Sequence, residues 1–335
     1  MKVTVITTIA VMGLIIFSGT IIAQDTDSTA TRSTFAGGSG SRSDPYQIST
    51  VSQLQSMGSY MRGHFILNND INASSTSSWN SNYGFKPVGG TSWQTCFKGT
   101  FDGKGYNITG LTINRRTSNY VGLFSYTNSQ TSIRNVNLLN VSIHGNSYVG
   151  GLVGYGWGSI ENCSVTGSVR GRSDYAGGVI GFNNYNYAVI TNCSMQGKVR
   201  GNEDVGGFSG HNDGKIVNCT MRGNVTGSWR VGGFSGKNYE RIAGCSQIGH
   251  TSGGSVVGGF IGENSGTIVN CYSQGSSYCS SDINTDAGGF AGSCFGAARK
   301  CYSTCSVSNK RGTNPTNMGF ADSGKSSSMK GNFWD

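Results

Sequence analysis

The sequence predicts an all-β fold, a single-stranded right-handed parallel β-helix. Two observations carry that prediction. A six-residue phrase, Val205-Gly206-Gly207-Phe208-Ser209-Gly210, returns at Val231 and again at Val257, each copy 26 residues after the last, with looser copies at Val149, Ala176 and Ala287. A second phrase follows most of these copies, as in Ile160-Glu161-Asn162-Cys163, Ile190-Thr191-Asn192-Cys193 and Ile216-Val217-Asn218-Cys219. Self-similarity at a fixed period of this length marks a repeat architecture. A 26-residue unit is too short for β-α-β, which needs about 30 residues. Its apolar residues alternate with a spacing of two, as in Cys163/Val165 and Cys219/Met221, which is strand periodicity. Three short strands separated by Gly/Asn turns fill such a coil, and stacked coils pair each strand with its counterpart about 4.8 Å away.

Taken in order, residues 1–23 hold one early Lys2 and an apolar run broken only by small residues and Thr. They read as a signal peptide rather than a membrane anchor, because no basic cluster flanks the run. No later stretch is apolar enough to span a bilayer. Residues 24–43 are rich in Ser, Thr and Gly and read as a flexible leader. The β-helix then occupies 44–335. Thr50 with Gln53 fits a capping box, and Val51, Leu54, Met57 and Met61 recur at helical spacing, so a short helix over about 50–61 is expected to cover the open end of the stack. Phe65-Ile66-Leu67 and Phe85-Lys86-Pro87-Val88 begin irregular coils, with a polar excursion between Ser74 and Tyr83. Regular coils run from about 121 to 306, and Phe333-Trp334 closes the far end.

Charged residues make up only 12% of the chain while Gly numbers 54. The Gly, Ser and Asn fall at fixed places in the period, which argues for turns and against disorder. Losing Lys2 with the signal peptide lowers the formal charge from +9 to +8. That balance admits acidic glycans or anionic surfaces as partners. It excludes a nucleic-acid footprint, since no Lys/Arg cluster, RNA-binding motif or finger spacing is present.

Two columns stand out. Asn135, Asn162, Asn192, Asn218 and Asn270 hold one position of the repeat, with Gly110 and Gly244 in two other coils. They are expected to form an inward amide ladder. Cys163, Cys193, Cys219, Cys245, Cys271 and Cys301 form the next column. Secretion favours disulfides, whereas parallel Cβ vectors in stacked strands disfavour them, so stacked thiols and pairwise bridges both stay open. Cys279, Cys294 and Cys305 lie off the column and make better disulfide candidates; Cys96 has no obvious mate. Of the N-glycosylation sequons, Asn72, Asn107, Asn140 and Asn224 flank strands or turns and are candidate glycan acceptors, while Asn162, Asn192 and Asn218 are expected to face inward and stay bare.

The Gly151-Leu152-Val153-Gly154 core and its variants, the DPYQIST entry and the stretch FKGTFDGKGYNITGLTI (97–113) resemble the GLUG-repeat family from about residue 44 to the end. The resemblance implies a parallel β-helix in a secreted or surface-attached protein, as in adhesins and the non-catalytic region of some IgA-cleaving metallopeptidases. It defines no catalytic residue.

For chemistry the sequence offers little. His64, His144, His211 and His250 are isolated and read as surface or turn residues; none is followed by Glu, so no H-E-x-x-H site exists. No metal-ligand spacing accompanies the cysteines, and no cofactor is expected. Glu203-Asp204 beside Asp174, one coil earlier, is the best carboxylate pair for a polysaccharide lyase or glycosidase. Arg170, Arg172, Arg200, Arg222 and Arg230 fall near one corner of successive coils, and Tyr155, Trp157, Tyr185, Tyr187, Trp229 and Tyr239 lie in the variable turns. Together they could hold a glycan by hydrogen bonds and ring stacking, or meet a protein partner. The expectation is a secreted, non-catalytic module with an adhesive, matrix or binding role. An acid-pair enzyme and a self-assembling filament subunit are the alternatives.

Overall fold

The computed structural model describes residues 34–184, 188–281, 286–310, 319–324 and 329–334. The signal segment, the leader up to residue 33, Tyr185 and Tyr187 lie outside the described residues.

The chain winds into a parallel β-helix. Ile160, Ile190, Ile216, Ile242 and Ile268 pair in register from coil to coil. A typical coil holds four strands, at Ser159–Glu161, Ser164–Gly171, Asp174–Gly177 and Ile180–Asn183. These build four faces, numbered here in chain order, and among the described residues they contain eleven, eleven, five and eight strands. The three-strand coil is thereby corrected to four. The repeated VGGFSG phrase straddles two of them, since Val205 and Gly206 end the strand Glu203–Gly206 and Ser209 opens the strand Ser209–Asn212. Eleven strands on one face, at about 4.8 Å per step, give a stack about 50 Å long.

The glycines of that phrase serve close approach. A Cβ on Gly206 would sit 1.9 Å from the Ser209 carbonyl oxygen, and one on Gly207 2.2 Å from that of Gly233. With the backbones drawn together, Phe208, Phe234, Phe260 and Phe290 stack inside at centroid spacings of 4.8–4.9 Å, all fully buried. Such burial contributes about 2 kcal/mol or more per ring.

The N-terminal end is closed as the hydrophobic spacing predicts, by the helix Val51–Ser56 and the 3₁₀ turn Met57–Ser59. Thr50 Oγ1 accepts from the Gln53 N–H at 3.2 Å, and Gln53 Oε1 accepts from the Ser49 N–H at 2.8 Å. Leu54 and Met57 are buried. The described fold, however, already includes the ten residues before Asp44. Phe35 is buried against Tyr46, Tyr60 and Phe65, and Gly37 bridges Gln47 in antiparallel fashion. Residues 34–43 therefore belong to the cap. The Ser/Thr/Gly composition that suggested a leader did not weigh the single aromatic Phe35. At the far end the strand Phe333–Trp334 pairs with Tyr302 and Ser303.

Candidate functional site

The interior columns come first, because they decide which side chains are left to face outward. Cys163, Cys193, Cys219, Cys245, Cys271 and Cys301 line one buried row. Each backbone N–H from Cys163 to Cys245 lies 3.3–3.4 Å from the next Sγ. They are free thiols, as are Cys96, Cys294 and Cys305, so the bridges entertained for Cys294 and Cys305 are not formed. Burial pushes the Cys219, Cys245 and Cys271 thiols above their ordinary range. A thiol that stays protonated is a poor nucleophile and metal ligand. Among the described residues no cluster of metal-ligating side chains is present.

The asparagine ladder is real but lies elsewhere. Asn162, Asn192, Asn218 and Asn270 are exposed and Asn135 half-exposed, and all five adopt left-handed backbone with φ of 52–53°. Gly110, Gly244 and Lys300 hold the same corner at φ 76°, 63° and 52°. The column is a row of tight corners, which Asn and Gly tolerate best. The buried ladder runs through Asn183, Asn212, Asn238 and Asn264, whose amides donate in series to the next carbonyl oxygen at 2.7–2.8 Å. It follows the VGGFSG phrase by two residues, and that spacing is visible in the sequence. With the first column turned outward, the sequons at Asn162, Asn192 and Asn218 are as accessible as those at Asn72, Asn140 and Asn224, while Asn107 is half-buried.

The structure divides the predicted arginine and aromatic face into three places. The first is an outer seam between the third and fourth faces. Tyr120, Tyr148 and Tyr175 stack at 4.7–4.8 Å along one side. Tyr126, Tyr155, Phe182 and His211 stack at 4.4–5.2 Å along the other. Ring faces there are covered by other rings, so little remains for a sugar to stack on. Higher up, charge replaces aromatics. Asp204, 1% exposed, accepts from Arg230 Nε and from His211 Nδ1 at 3.0 Å, and His211 Nε2 meets Asp213 at 3.0 Å. Both ring nitrogens therefore face carboxylates, which fits a doubly protonated imidazolium. Burial opposes that charge, but the bonds to Asp204 and Asp213 outweigh it and raise the His211 pKa. His211 is thus a buried structural cation, not the isolated surface residue the sequence suggested. His64 bonds to Thr100 and His250 to Ser276 on the outer faces.

The same contacts revise the carboxylate pair. Asp204 is held ionised between two cations, and burial is overcome by the hydrogen bonds from His211 and Arg230. Glu203 stacks in register over Asp174 and lies 3.8 Å from Arg230. Arg230 also covers the Trp229 ring at 3.7 Å, and Lys237 bonds Glu263 at 3.1 Å. The network is closed on itself, with every cation matched.

The second place is a single residue. Arg222 points out from the second face in a row with Gln196 and Ile248, away from the other arginines.

The third is a cleft along the edge of the second face. Arg170 and Arg200 pair in register, with His144 one coil below Arg170 and Asn114 one further. Arg172 follows in the turn, anchored by its N–H on Asn146 O at 3.0 Å. Arg116, His144, Gly145, Arg170 and Arg172 line a lobe of about 300 Å³. A second lobe of about 350 Å³ shares Arg170 and Arg172 and continues past Arg200 to Asn202, Thr226 and Ser228. All four arginines are exposed, and none forms an ion pair among the described residues. Arg116 could not be assigned to this group from sequence, since it lies three coils before Arg200 in a different turn. No Phe, Tyr or Trp ring lines either lobe, so Tyr155, Trp157 and Trp229 are not part of the cleft.

A parallel β-helix built from glycine-paired coils of this kind defines a class, and the comparisons agree with it. The GLUG motif model matches residues 145–170, a span that includes Gly145 and Arg170 of the cleft. The chain is a parallel β-helix that carries a GLUG motif. A crystal structure of a candidate immunoglobulin A1 protease from Bacteroides ovatus superposes with a TM-score of 0.63 at 22% identity, over 88% of this chain and 87% of that one. This likeness concerns the fold. Halomucin from Haloquadratum walsbyi is 34% identical over 149 residues, 43% of this chain. A candidate Gly-rich membrane protein from Evansella cellulosilytica is 34% identical over 147 residues, 41% of this chain. The chain spans only 2% and 16% of those two relatives. Among the described residues no helix is long and apolar enough to cross a membrane.

Proposed function

We propose that the protein is a non-catalytic, surface-presented β-helix that holds an acidic polysaccharide in the cleft formed by Arg116, Arg170, Arg172 and Arg200. One observation carries this reading: four exposed guanidiniums converge without a carboxylate among them. Like charges placed together cost free energy, and a site of this kind relaxes when it takes up an anion. Arginine suits the task, because its planar fork meets carboxylate and sulfate oxygens two at a time. The lobes join along the stack axis, which fits a linear chain better than a compact ligand. An extracellular or surface location is supported by the apolar N-terminal segment and by one relative's designation as a membrane protein.

The test is retention of the folded protein on immobilised heparin, used as a sulfated probe, against immobilised dextran as a neutral one. Retention on heparin alone is expected. Arg170→Gln with Arg200→Gln should lower the affinity by about tenfold or more, since hydrogen bonds to charged groups contribute about 1.5–3 kcal/mol each. Equal retention of the double variant, or equal retention on dextran, would sink the reading.

A further inference from the structure

The deeper lobe of the cleft contains a titratable group that the shallower one lacks. His144 projects from the second face between Asn114 and Arg170. It is half-buried, and its ring has no hydrogen-bond partner among the described residues. The charged groups that face it are Arg116, from the segment after the strand Thr112–Asn114, Arg170, from the next coil's strand, and Arg172, from the turn that follows. All three are cations. Burial, then Arg116 and Arg170, hold the His144 pKa below its ordinary value of 6.5. In the empty cleft the imidazole is therefore neutral at neutral pH, with one N–H to offer.

An anion between these groups changes that balance. It offsets the guanidinium charge that kept the ring neutral, and it gives an imidazolium N–H an acceptor. We propose that this lobe is a proton-coupled oxyanion subsite, in which a sulfate or carboxylate group of an acidic polysaccharide is bound by Arg116, His144 and Arg170 as His144 takes up one proton. The inference rests on the cleft being the polysaccharide site and adds its chemistry and its pH dependence. The coupling is reciprocal: whatever factor the anion adds to proton affinity, the proton adds to anion affinity. A displacement of one pKa unit corresponds to tenfold in binding. A surface protein built this way would grip its polymer more firmly in acidified surroundings.

The experiment measures heparin affinity from pH 8 to pH 5 at constant ionic strength, for the full chain and for His144→Gln. Heparin sulfates do not titrate in this range, so the protein supplies any slope. Affinity of the wild-type chain should rise about tenfold on acidification. His144→Gln should bind at about the pH 8 level throughout, with unchanged circular dichroism. In parallel, the His144 ring resonances should show a pKa that moves upward on saturation with heparin. A flat wild-type profile, or a slope that survives in His144→Gln, would overturn the subsite while leaving polysaccharide binding intact. Binding that ignores Arg170→Gln and Arg200→Gln would instead remove the site itself. Duplex DNA competing as well as heparin at equal charge would show that the lobe reads charge alone, and would overturn the assignment to polysaccharide.

Discussion

Asn212 and Asn218 lie six residues apart, one buried and the other exposed. Asn212 donates to Asn238 at 2.7 Å and accepts from Asn183 at 2.7 Å, and its amide also bonds Gly214 O at 2.8 Å. Replacing it with Ala leaves buried groups on both neighbours unpaired, at about 1–3 kcal/mol each. Asn218 holds a left-handed corner at φ 53° with its side chain in solvent. There Asn218→Gly should be neutral within about 0.5 kcal/mol, and Asn218→Ala should cost about 1 kcal/mol. Urea denaturation of the three variants checks the contrast. Similar losses for Asn212→Ala and Asn218→Gly would contradict it. The pair also shows what the sequence could reveal. An Asn column interrupted by Gly110 and Gly244 points to positive φ, because those two residues share that tolerance while a ladder has no use for Gly. The uninterrupted run Asn183, Asn212, Asn238, Asn264 was the ladder, and its constant offset from VGGFSG was legible.

At the scale of the coil, period and apolar spacing sufficed to place the strands that pair in register and the stacked cysteines. They could not show that VGGFSG bends across two faces, since side-chain alternation continues through the corner. Nor could they foresee the seam, because Asp204, His211, Asp213 and Arg230 come from two coils and meet only after stacking. That network makes neighbouring coils depend on pH in a definite direction. The His211 pKa is raised on folding, so its contribution is complete below the unfolded value near 6.5 and is lost as pH rises through the folded value. Asp204 is lowered, so its contribution is complete above the unfolded value near 3.8 and is lost as pH falls through the folded one. The urea midpoint should therefore peak between about pH 4 and 6.5 and decline on the alkaline side. His211→Gln should flatten that alkaline decline. A variant that kept the full decline would assign it to another group.

Stacking leaves a β-helix with two ends, each exposing apolar core and unpaired backbone groups, and such edges are templates for association. Here the first end is covered by the helix Val51–Ser56 together with the segment from Thr34, and the two are tied by the ring cluster of Phe35, Tyr46, Tyr60 and Phe65. Ala36 N–H donates to Gln47 O at 2.9 Å and Gln47 N–H returns to Gly37 O at 2.8 Å, so this segment pairs with the outermost strand of the first face. Two truncations separate its contribution from that of the helix. A chain beginning at Thr34 keeps every one of these contacts and serves as the reference for stability. One beginning at Asp44 loses the buried Phe35 ring and the strand pairing, at about 3 kcal/mol or more, and bares the edge of the strand Tyr46–Ile48. Because coils are stabilised mainly by their neighbours, the loss should appear as early fraying of the first coils and as concentration-dependent association in light scattering. If the Asp44 chain stayed monomeric with a urea midpoint equal to that of the Thr34 chain, residues 34–43 would not be part of the cap.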